Sequence, residues 1–533
     1  MSRTGLNDKS RNDFHWKRTN LTPISTQTFP MRRIIAHRPR HLALALLGCL
    51  MLSGPLRAAN LPDLGDASEA TLTRQAERTL GEQTMRSLQA SGALLDDPEV
   101  NAYLDSLGRR LLQADPSLAG QPFDFFAVES SELNAFALPG GHVGVHTGLI
   151  LATQSESELA SVMAHEIAHV TQHHIARQIA GQSGAQLASM AALGAAILAA
   201  ATGNGQVAMA AVTGATAANL QSQINYTREH ESEADRIGFQ LLTGAGFDPR
   251  AMASFFDRLQ KATRLVDGNV PSYLRTHPLT HERIAEAEDR AFNLSYKQVR
   301  DSDEYHFVRA LLRSYEGEPR EAVALLDKAL AEGRTQNARA TRYGLTAALL
   351  RAGDFKRADK ELAVVERGGP HPMVEALAGQ ILLQSGRLPE ARKRYESALQ
   401  RFPDHLQLVY DYPRTLIRLH DEAAAARFTE SRLLARPQDP TLHRLAAEAF
   451  AALGQQTRSH VHQGEFEAAR GNTQAAIEQY RIALRSADGS ERDLTIADAR
   501  LRELQAQQRE LRKDGRDGGK DPSGGRLHSF TPR

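Results

Sequence analysis

The sequence predicts a mainly α-helical protein in which a compact α+β domain precedes a solenoid of paired helices. The composition is 41% hydrophobic but only 6% aromatic, and it is rich in alanine, which favours helix. Glycine and alanine recur at fixed offsets through residues 301–508. A chain of 533 residues is also too long for a single hydrophobic core, so more than one domain is expected.

Residues 1–59 are predicted to be an N-terminal extension and a secretory signal peptide. After Met31, four arginines precede an uncharged apolar run at 42–52, and small residues follow at 58–59. The run is too short to span a bilayer, so the pattern predicts export and cleavage. The alternative is a short buried helix.

The single cysteine, Cys49, excludes an intramolecular disulfide. Residues 46–49 resemble a bacterial lipobox, but the apolar run continues beyond the cysteine, so a lipoprotein ranks second. The formal net charge of +1 gives no indication of a nucleic-acid partner.

Residues 60–300 are predicted to form the α+β domain. Periodicity predicts helices at 71–91, 98–114 and 155–179, and strands at 123–130 and 142–146. The segment joining the two strands ends in Pro139-Gly140-Gly141, which indicates a turn. Residues 178–227 contain no charged side chain. They predict a helical hairpin packed on the domain with one face near a membrane or a partner, or else a buried pair of small-residue helices.

Residues 301–508 are predicted to be helical repeats. Gly317, Gly353 and Gly386 each precede an alanine by five residues, and His420 holds the equivalent place before Ala425. This spacing resembles that of tetratricopeptide repeats, in which small residues lie where paired helices cross. Four to five repeats are expected, with an ordinary helical bundle as the alternative. The Gly-rich, charged residues 509–533 are predicted to be a disordered tail.

Residues 165–169 have the sequence His-Glu-Ile-Ala-His. Positions i and i+4 share one face of a helix, so His165 and His169 can both present a ring nitrogen to one Zn²⁺. Glu166 can then accept a proton from a water that zinc acidifies, as hydrolysis of a peptide bond requires. A coincidental surface pair is the alternative, but the apolar residues around the motif indicate a buried helix.

A catalytic zinc needs a third protein ligand, and Glu231 and Asp235 lie one turn apart on a predicted helix. Glu231 could ligate zinc, while Asp235 could accept the other ring N–H of a ligating histidine. The alternative is a solvated acidic face. Glu233 is expected at the surface, and His173 is expected to pack beside the site without ligating.

Taken together, these motifs resemble the zinc peptidase family that includes the heat-shock protease HtpX and the CAAX prenyl proteases. With a signal peptide and C-terminal repeats, the chain is similar to the branch of periplasmic β-barrel assembly-enhancing proteases. Further segments that match are residues 134–137, 161–166, 233–238 and 276–279. The resemblance implies an α+β zincin-type metallopeptidase domain followed by an α-helical tetratricopeptide-repeat solenoid.

The resemblance also implies residue roles. His165, His169 and Glu231 would bind one Zn²⁺ per chain, Glu166 would be the general base and Asp235 the supporting acid. His277 would occupy the fourth zinc position and hold the enzyme inactive, although His281 is an equally available histidine.

Residues near the motif are candidates for contacts with substrate. Arg283 could stabilise the oxyanion or form a salt bridge. The strand around Gly141 and Val143 could pair with an extended substrate, with Asn134 nearby as a further substrate-binding candidate.

The function implied by the resemblance is that of a zinc metalloendopeptidase, either free in the periplasm or associated there with the outer membrane. It would assist assembly of outer-membrane β-barrel proteins and degrade those that stall or misfold. The expected partners are these clients, the assembly machinery through the repeats, and a membrane surface, with no nucleic acid. The chief alternative is a repeat-based chaperone or adaptor with a latent zinc site.

Overall fold

The structure is a computed structural model that describes residues 73–180, 227–265, 271–294 and 299–517. The predicted signal peptide at 31–59, most of the uncharged segment at 178–227 and the end of the predicted tail lie outside the described residues. Within the described residues, no helix combines the length and the apolar character that crossing a bilayer requires.

The N-terminal half surrounds a small mixed sheet with helices. Its strands are β1 (Asp124–Val128), β2 (Ala135–Leu138) and β3 (His142–His146). Its helices are α1 (Arg74–Ser91), α2 (Pro98–Leu112), α3 (Thr147–Ala152), α4 (Glu156–Thr171), α5 (His174–Ala180), α6 (Arg228–Gly244), α7 (Ala251–Leu265), α8 (Ser272–Thr276) and α9 (His281–Phe292). A single 3₁₀ turn, Pro116–Leu118, lies between α2 and β1.

The sheet has the order β1-β3-β2, with β1 parallel and β2 antiparallel to β3. The segment expected only to join two strands therefore contains the additional strand β2. The predicted turn is present, since Gly140 and Gly141 have φ values of 82° and 97°. Gly141 also has no room for a side chain, because a Cβ there would lie 2.1 Å from the carbonyl oxygen of Pro122.

The helix predicted at 155–179 is two helices in the structure. Ser155 caps α4 by accepting the N–H of Glu158, and the following residues through His169 are buried. α4 ends at Thr171, and His173 adopts a left-handed φ of 51° before α5 begins. This break changes which histidine lies beside the motif, as described below.

The C-terminal half consists of consecutive helices that pack against one another. They are α10 (Asp303–Tyr315), α11 (Pro319–Ala331), α12 (Ala338–Arg351), α13 (Phe355–Glu366), α14 (Pro372–Gln384), α15 (Leu388–Arg401), α16 (Leu406–Arg418), α17 (Glu422–Leu433), α18 (Pro440–Ala452), α19 (Gln456–Ala469), α20 (Thr473–Arg485) and α21 (Glu491–Asp517). These twelve helices of the described chain form more pairs than the four to five repeats expected.

The spacing of glycines marks the turns between these helices. Gly317, Gly353 and Gly386 have φ values of 62°, 74° and 79°, a left-handed conformation that glycine adopts at little cost. His420, predicted to hold the equivalent place, has the same conformation with φ of 59°. The predicted helical-repeat fold is therefore confirmed. α21 extends to Asp517, so the first part of the segment predicted to be disordered is helical.

Helix α4 and the first repeat helix, α10, are capped by residues at each other's start. Asp301 accepts the backbone N–H of Glu156 at 2.8 Å, at the start of α4. In return, the Glu156 carboxylate accepts the backbone N–H of Ser302 at 3.0 Å and its hydroxyl at 2.6 Å. The same Ser302 hydroxyl accepts the N–H of Tyr305 in α10. The two halves are thus joined through hydrogen bonds at both helix starts.

The repeats also contact the first half again, further along the chain. Glu99 in α2 is buried and lies 2.9 Å from Nε2 of His405. Asp97 accepts the hydroxyl of Tyr315 at 2.6 Å. The start of α2 is therefore in contact with both α10 and the α15–α16 turn.

Candidate metal centre

Four buried side chains bring potential metal ligands together. His165 and His169 come from α4, Glu231 comes from α6, and His277 follows α8, and one ligand atom from each lies within 4.8 Å of all the others. Each of these residues is at most 2% exposed. The i, i+4 spacing of the histidines places both rings on the same side of α4, as the sequence predicts.

Close packing of α6 on α4 places Glu231 beside the histidines. Gly238 allows this approach, because a Cβ at that position would lie 3.0 Å from the backbone nitrogen of His165. Ala234, one turn earlier, is fully buried. Small residues at the crossing therefore let the α6 carboxylates reach the α4 histidines.

The separations between the donor atoms fit a tetrahedral metal site. Nε2 of His165 lies 2.9 Å from Nε2 of His169 and 3.4 Å from Nδ1 of His277. Oxygens of Glu231 lie 3.5 Å from Nε2 of His165, 3.4 Å from Nε2 of His169 and 2.9 Å from Nδ1 of His277. Tetrahedral zinc bonds of about 2.0–2.1 Å to nitrogen and oxygen imply donor–donor separations of roughly 3.3 Å. The residues present therefore fit a zinc ion.

Asp235 and Arg283 support this donor set. Asp235 lies 2.9 Å from Nδ1 of His165, on the side of the ring that faces away from the cluster. Arg283 donates to both oxygens of Asp235, at 2.6 and 2.8 Å, and lies 2.6 Å from Glu231. The salt-bridge alternative for Arg283 is therefore the one that the structure supports, since its guanidinium is held by these carboxylates.

Glu166 lies in the same pocket, but it is not one of the clustered donors. It is fully buried, and neither carboxylate oxygen has a hydrogen-bond partner among the described residues. Nε2 of His277 lies 3.5 Å from its Oε1. An orphaned buried carboxylate costs free energy unless something else occupies the pocket, which is expected of a site that holds a metal and a reactant. His281, the other histidine considered for this place, is exposed at the start of α9.

Burial and neighbouring charged groups shift the pKa values of the clustered side chains in different directions. Burial disfavours the charged ring of His165, but hydrogen bonds to Asp235 and Glu231 outweigh it and raise the pKa of His165 to about 10. Burial holds the pKa of His169 well below its ordinary value. Burial would raise the pKa of Glu231, but His277 and Arg283 hold it well below the usual range. A metal ion binds the unprotonated ring nitrogen, so protonation of His165 at Nε2 and metal binding at this cluster compete.

Burial also raises the pKa of Glu166, against the lowering effects of His277 and His165. A raised pKa makes a carboxylate a stronger proton acceptor at neutral pH. Asp235 differs, because Arg283 overcomes the effect of burial and lowers its pKa. The pKa of Glu166 is thus raised and that of Asp235 lowered, although both carboxylates lie next to the histidines.

The histidine beside His169 is His174, which the sequence did not indicate. The left-handed His173 directs its own ring to Glu77, at 3.2 Å. His174 is fully buried instead, with its Nδ1 2.9 Å from Nδ1 of His169. Glu233, expected at the surface, lies 3.2 Å from Nε2 of His174 and pairs with Arg177 at 2.7 Å.

The turn that carries His277 is anchored by Tyr273, a second residue that the sequence did not indicate. The buried Tyr273 ring stacks on the His277 ring with centroids 4.6 Å apart. Its backbone N–H donates to the carbonyl oxygen of Leu133 at 3.0 Å, just before β2. The contact with Leu133 has no local sequence signal, since 133 and 273 are far apart in the chain.

The prediction that the strand around Gly141 and Val143 pairs with substrate is wrong. β3 is the central strand, and Val143 pairs with Phe125 on one side and Ala137 on the other. Asn134 is buried just before β2, and its carbonyl oxygen accepts the N–H of His146. Within the described sheet, the strand with an unpaired edge on the side away from β1 is β2.

Comparison with known proteins identifies both halves of the chain. The profile of peptidase family M48 matches residues 98–291, and a tetratricopeptide-repeat profile matches residues 382–449. The chain is 32% identical to the beta-barrel assembly-enhancing protease of Yersinia pestis, over 81% of this chain and 91% of that protein. It is 33% identical to the protein of the same name from Escherichia coli K12, over 64% of this chain and 70% of that protein.

The chain is also similar, more distantly, to a mitochondrial metalloendopeptidase. The metalloendopeptidase OMA1 of Schizosaccharomyces pombe is 28% identical over 40% of this chain and 59% of that protein. These matches together make the chain a metalloprotease with C-terminal tetratricopeptide repeats.

Proposed function

The chain belongs to peptidase family M48, in the group of beta-barrel assembly-enhancing proteases, and on this premise we propose that it is a periplasmic zinc metalloendopeptidase. It assists the assembly of outer-membrane β-barrel proteins and degrades those that stall or misfold. The observation that carries the chemistry is the convergence of four buried donors beside an orphaned Glu166.

The ligands in this proposal are His165, His169 and Glu231, with His277 as a fourth. Imidazole with a single carboxylate is a donor set that suits zinc among the common divalent metals. When bound, zinc supplies the Lewis acid that polarises the scissile carbonyl and lowers the pKa of water.

Glu166 acts as the general base. Its buried carboxylate accepts a proton from the attacking water and returns it to the amine that leaves when the peptide bond breaks. Asp235 accepts the Nδ1–H of His165, which fixes the ring with Nε2 directed into the cluster. Arg283 keeps Asp235 and Glu231 ionised and in place.

The substrate binds as an extended strand along β2. An unpaired strand edge next to a reactive centre offers backbone hydrogen bonds to any sequence, which suits an enzyme whose clients are unfolded. β2 packs against α4, which carries Glu166. Asn134 then serves to fix the beginning of β2, and it does not contact substrate directly.

His277 holds the site closed. If His277 is the fourth ligand, a bound zinc would have no position left for water or a carbonyl oxygen. The His277 ring must therefore move away before catalysis. This closed donor set is also the observation that favours the second candidate, a repeat-based chaperone or adaptor whose zinc site is latent.

The periplasmic location is supported by the predicted signal peptide at 31–59. The repeats are proposed to bind the assembly machinery or its clients. Lipid attachment at Cys49 is the alternative for the mature N-terminus.

The test compares zinc content and cleavage of an unfolded outer-membrane β-barrel protein for the exported chain, Glu166→Gln and His277→Ala. The proposal expects one zinc per chain in wild type and Glu166→Gln, with cleavage absent in Glu166→Gln. If zinc binds but neither wild type nor His277→Ala cleaves any unfolded client, the adaptor is the better description. If no zinc binds, the proposed metal centre is wrong.

A further inference from the structure

The second ring nitrogens of the two α4 histidines have different partners. Nδ1 of His165 faces the carboxylate of Asp235 at 2.9 Å. Nδ1 of His169 faces another imidazole, Nδ1 of His174, also at 2.9 Å. Both contacts are buried, so each fixes a ring without competition from water.

His174 reaches this position because of the break after α4. A continuous helix would place residue 173, four positions after His169, on the same face. The left-handed φ of 51° at His173 interrupts this periodicity, and α5 restarts with His174 directed back towards His169. His173 contacts Glu77 instead, so the two adjacent histidines have different surroundings.

The contact defines where the protons must lie. Nε2 of His169 faces His165 and Glu231, so this nitrogen must be unprotonated to bind a metal. A neutral ring then carries its proton on Nδ1 and donates it to Nδ1 of His174. His174 in turn carries its proton on Nε2 and donates it to Glu233 at 3.2 Å.

Glu233 and His230 complete the support around His174. The carboxylate that accepts from His174 also accepts from Arg177 at 2.7 Å, which holds it in place. The ring of His230 stacks on the His174 ring at 4.4 Å with an interplanar angle of 15°. The His174 ring is thus held by hydrogen bonds at both of its nitrogens and by the His230 ring stacked on its face.

We propose that His174 is a positioning residue that fixes the tautomer and orientation of His169, with Glu233 holding His174. This inference rests on the proposed zinc centre, and it adds a neutral second support to the anionic one that Asp235 provides. A hydrogen-bond partner behind a ligating histidine typically changes metal affinity about 10–100-fold.

The experiment measures Co²⁺ and Zn²⁺ affinity by competition with a chromophoric chelator, and records the visible spectrum of the Co²⁺ protein. His174→Phe keeps a planar aromatic ring but removes the acceptor, so we expect affinity about 10–100-fold weaker and an altered Co²⁺ spectrum. His174→Asn places an amide oxygen near the former Nδ1 and should recover part of the loss. Glu233→Gln should give a smaller loss than His174→Phe.

His173→Asn is the matched control. Asparagine tolerates the left-handed φ of this position, and the His173 ring contacts Glu77 and not the cluster. It should bind metal with the wild-type affinity and spectrum. A purely structural role for His174 predicts equal losses in His174→Phe and His174→Asn.

The outcomes separate this inference from the proposed function. Wild-type affinity and spectrum in His174→Phe overturn the role of His174 and leave the zinc centre intact. Absence of metal binding by wild type overturns the zinc centre itself. If His174→Phe fails to fold, the comparison of His174→Asn with Glu233→Gln decides, and wild-type affinity in both contradicts the inference.

Discussion

Nε2 of His277 lies 3.5 Å from Oε1 of Glu166, so the fourth histidine of the cluster directly faces the proposed general base. A ring in this position occupies the space that a water and a scissile carbonyl would need. The closed arrangement is therefore a property of one side chain on one short turn, and removing that side chain should open the site.

His277→Ala should increase proteolytic activity. If His277 occupies the open position in about nine of ten molecules, its removal should raise cleavage of unfolded casein roughly tenfold. The measurement is the initial rate with saturating zinc. The double variant His277→Ala/Glu166→Gln should be inactive, and a rate for His277→Ala at or below wild type would contradict the gating role.

Glu166→Gln should separate metal binding from catalysis. The side chain is not a clustered donor, so one zinc per chain should remain bound. Loss of a general base typically lowers kcat about 10²–10⁴-fold. Zinc content by elemental analysis and kcat in the His277→Ala background are the two measurements. Full activity with retained zinc would mean that another group accepts the proton.

Asp235→Asn should weaken zinc binding about 10–100-fold, because His165 loses the carboxylate that fixes its tautomer. It also removes one of the two buried counter-charges of Arg283, so a lower Tm should accompany the effect. Asp289→Asn, an exposed position on α9, is the matched control and should change neither quantity. Unchanged zinc affinity in Asp235→Asn would exclude the supporting role.

Gly238→Ala should destabilise the protein although alanine is the better helix former. At an ordinary position the substitution gains about 1 kcal/mol. Here the added Cβ would lie 3.0–3.1 Å from the backbone of Ala164 and His165, so α6 must shift away from α4. Thermal unfolding and zinc affinity should both fall. Gln240→Ala, exposed on the same helix, should leave both unchanged, and a stabilised Gly238→Ala would show that the crossing is loose.

The fold and the central donors could be predicted because their signals are local. The i, i+4 pairs His165/His169 and Glu231/Asp235 each lie on one turn of one helix. The repeats are indicated by regularly spaced glycines, which adopt a left-handed φ at the turns between helices. Such patterns depend on spacing along the chain and need no knowledge of distant contacts.

The remaining features depend on tertiary structure. β2 is short and lies next to a turn, so its alternation is hidden by the Pro-Gly-Gly signal that follows it. The left-handed His173 has no sequence signature, because most non-glycine residues avoid that conformation. The choice between the two roles of Arg283 likewise required the positions of Asp235 and Glu231.

The mutual cap formed by Glu156, Asp301 and Ser302 makes residue 300 a poor place to divide the chain. A fragment that ended there would lose the Asp301 acceptor at the first turn of α4. Its buried Glu156 carboxylate would keep the Tyr103 hydroxyl as a donor but lose both donors of Ser302. These hydrogen bonds connect the first repeat helix, α10, directly to α4. The start of the helix that carries His165, Glu166 and His169 is therefore held in part by residues that belong to the repeat half of the chain.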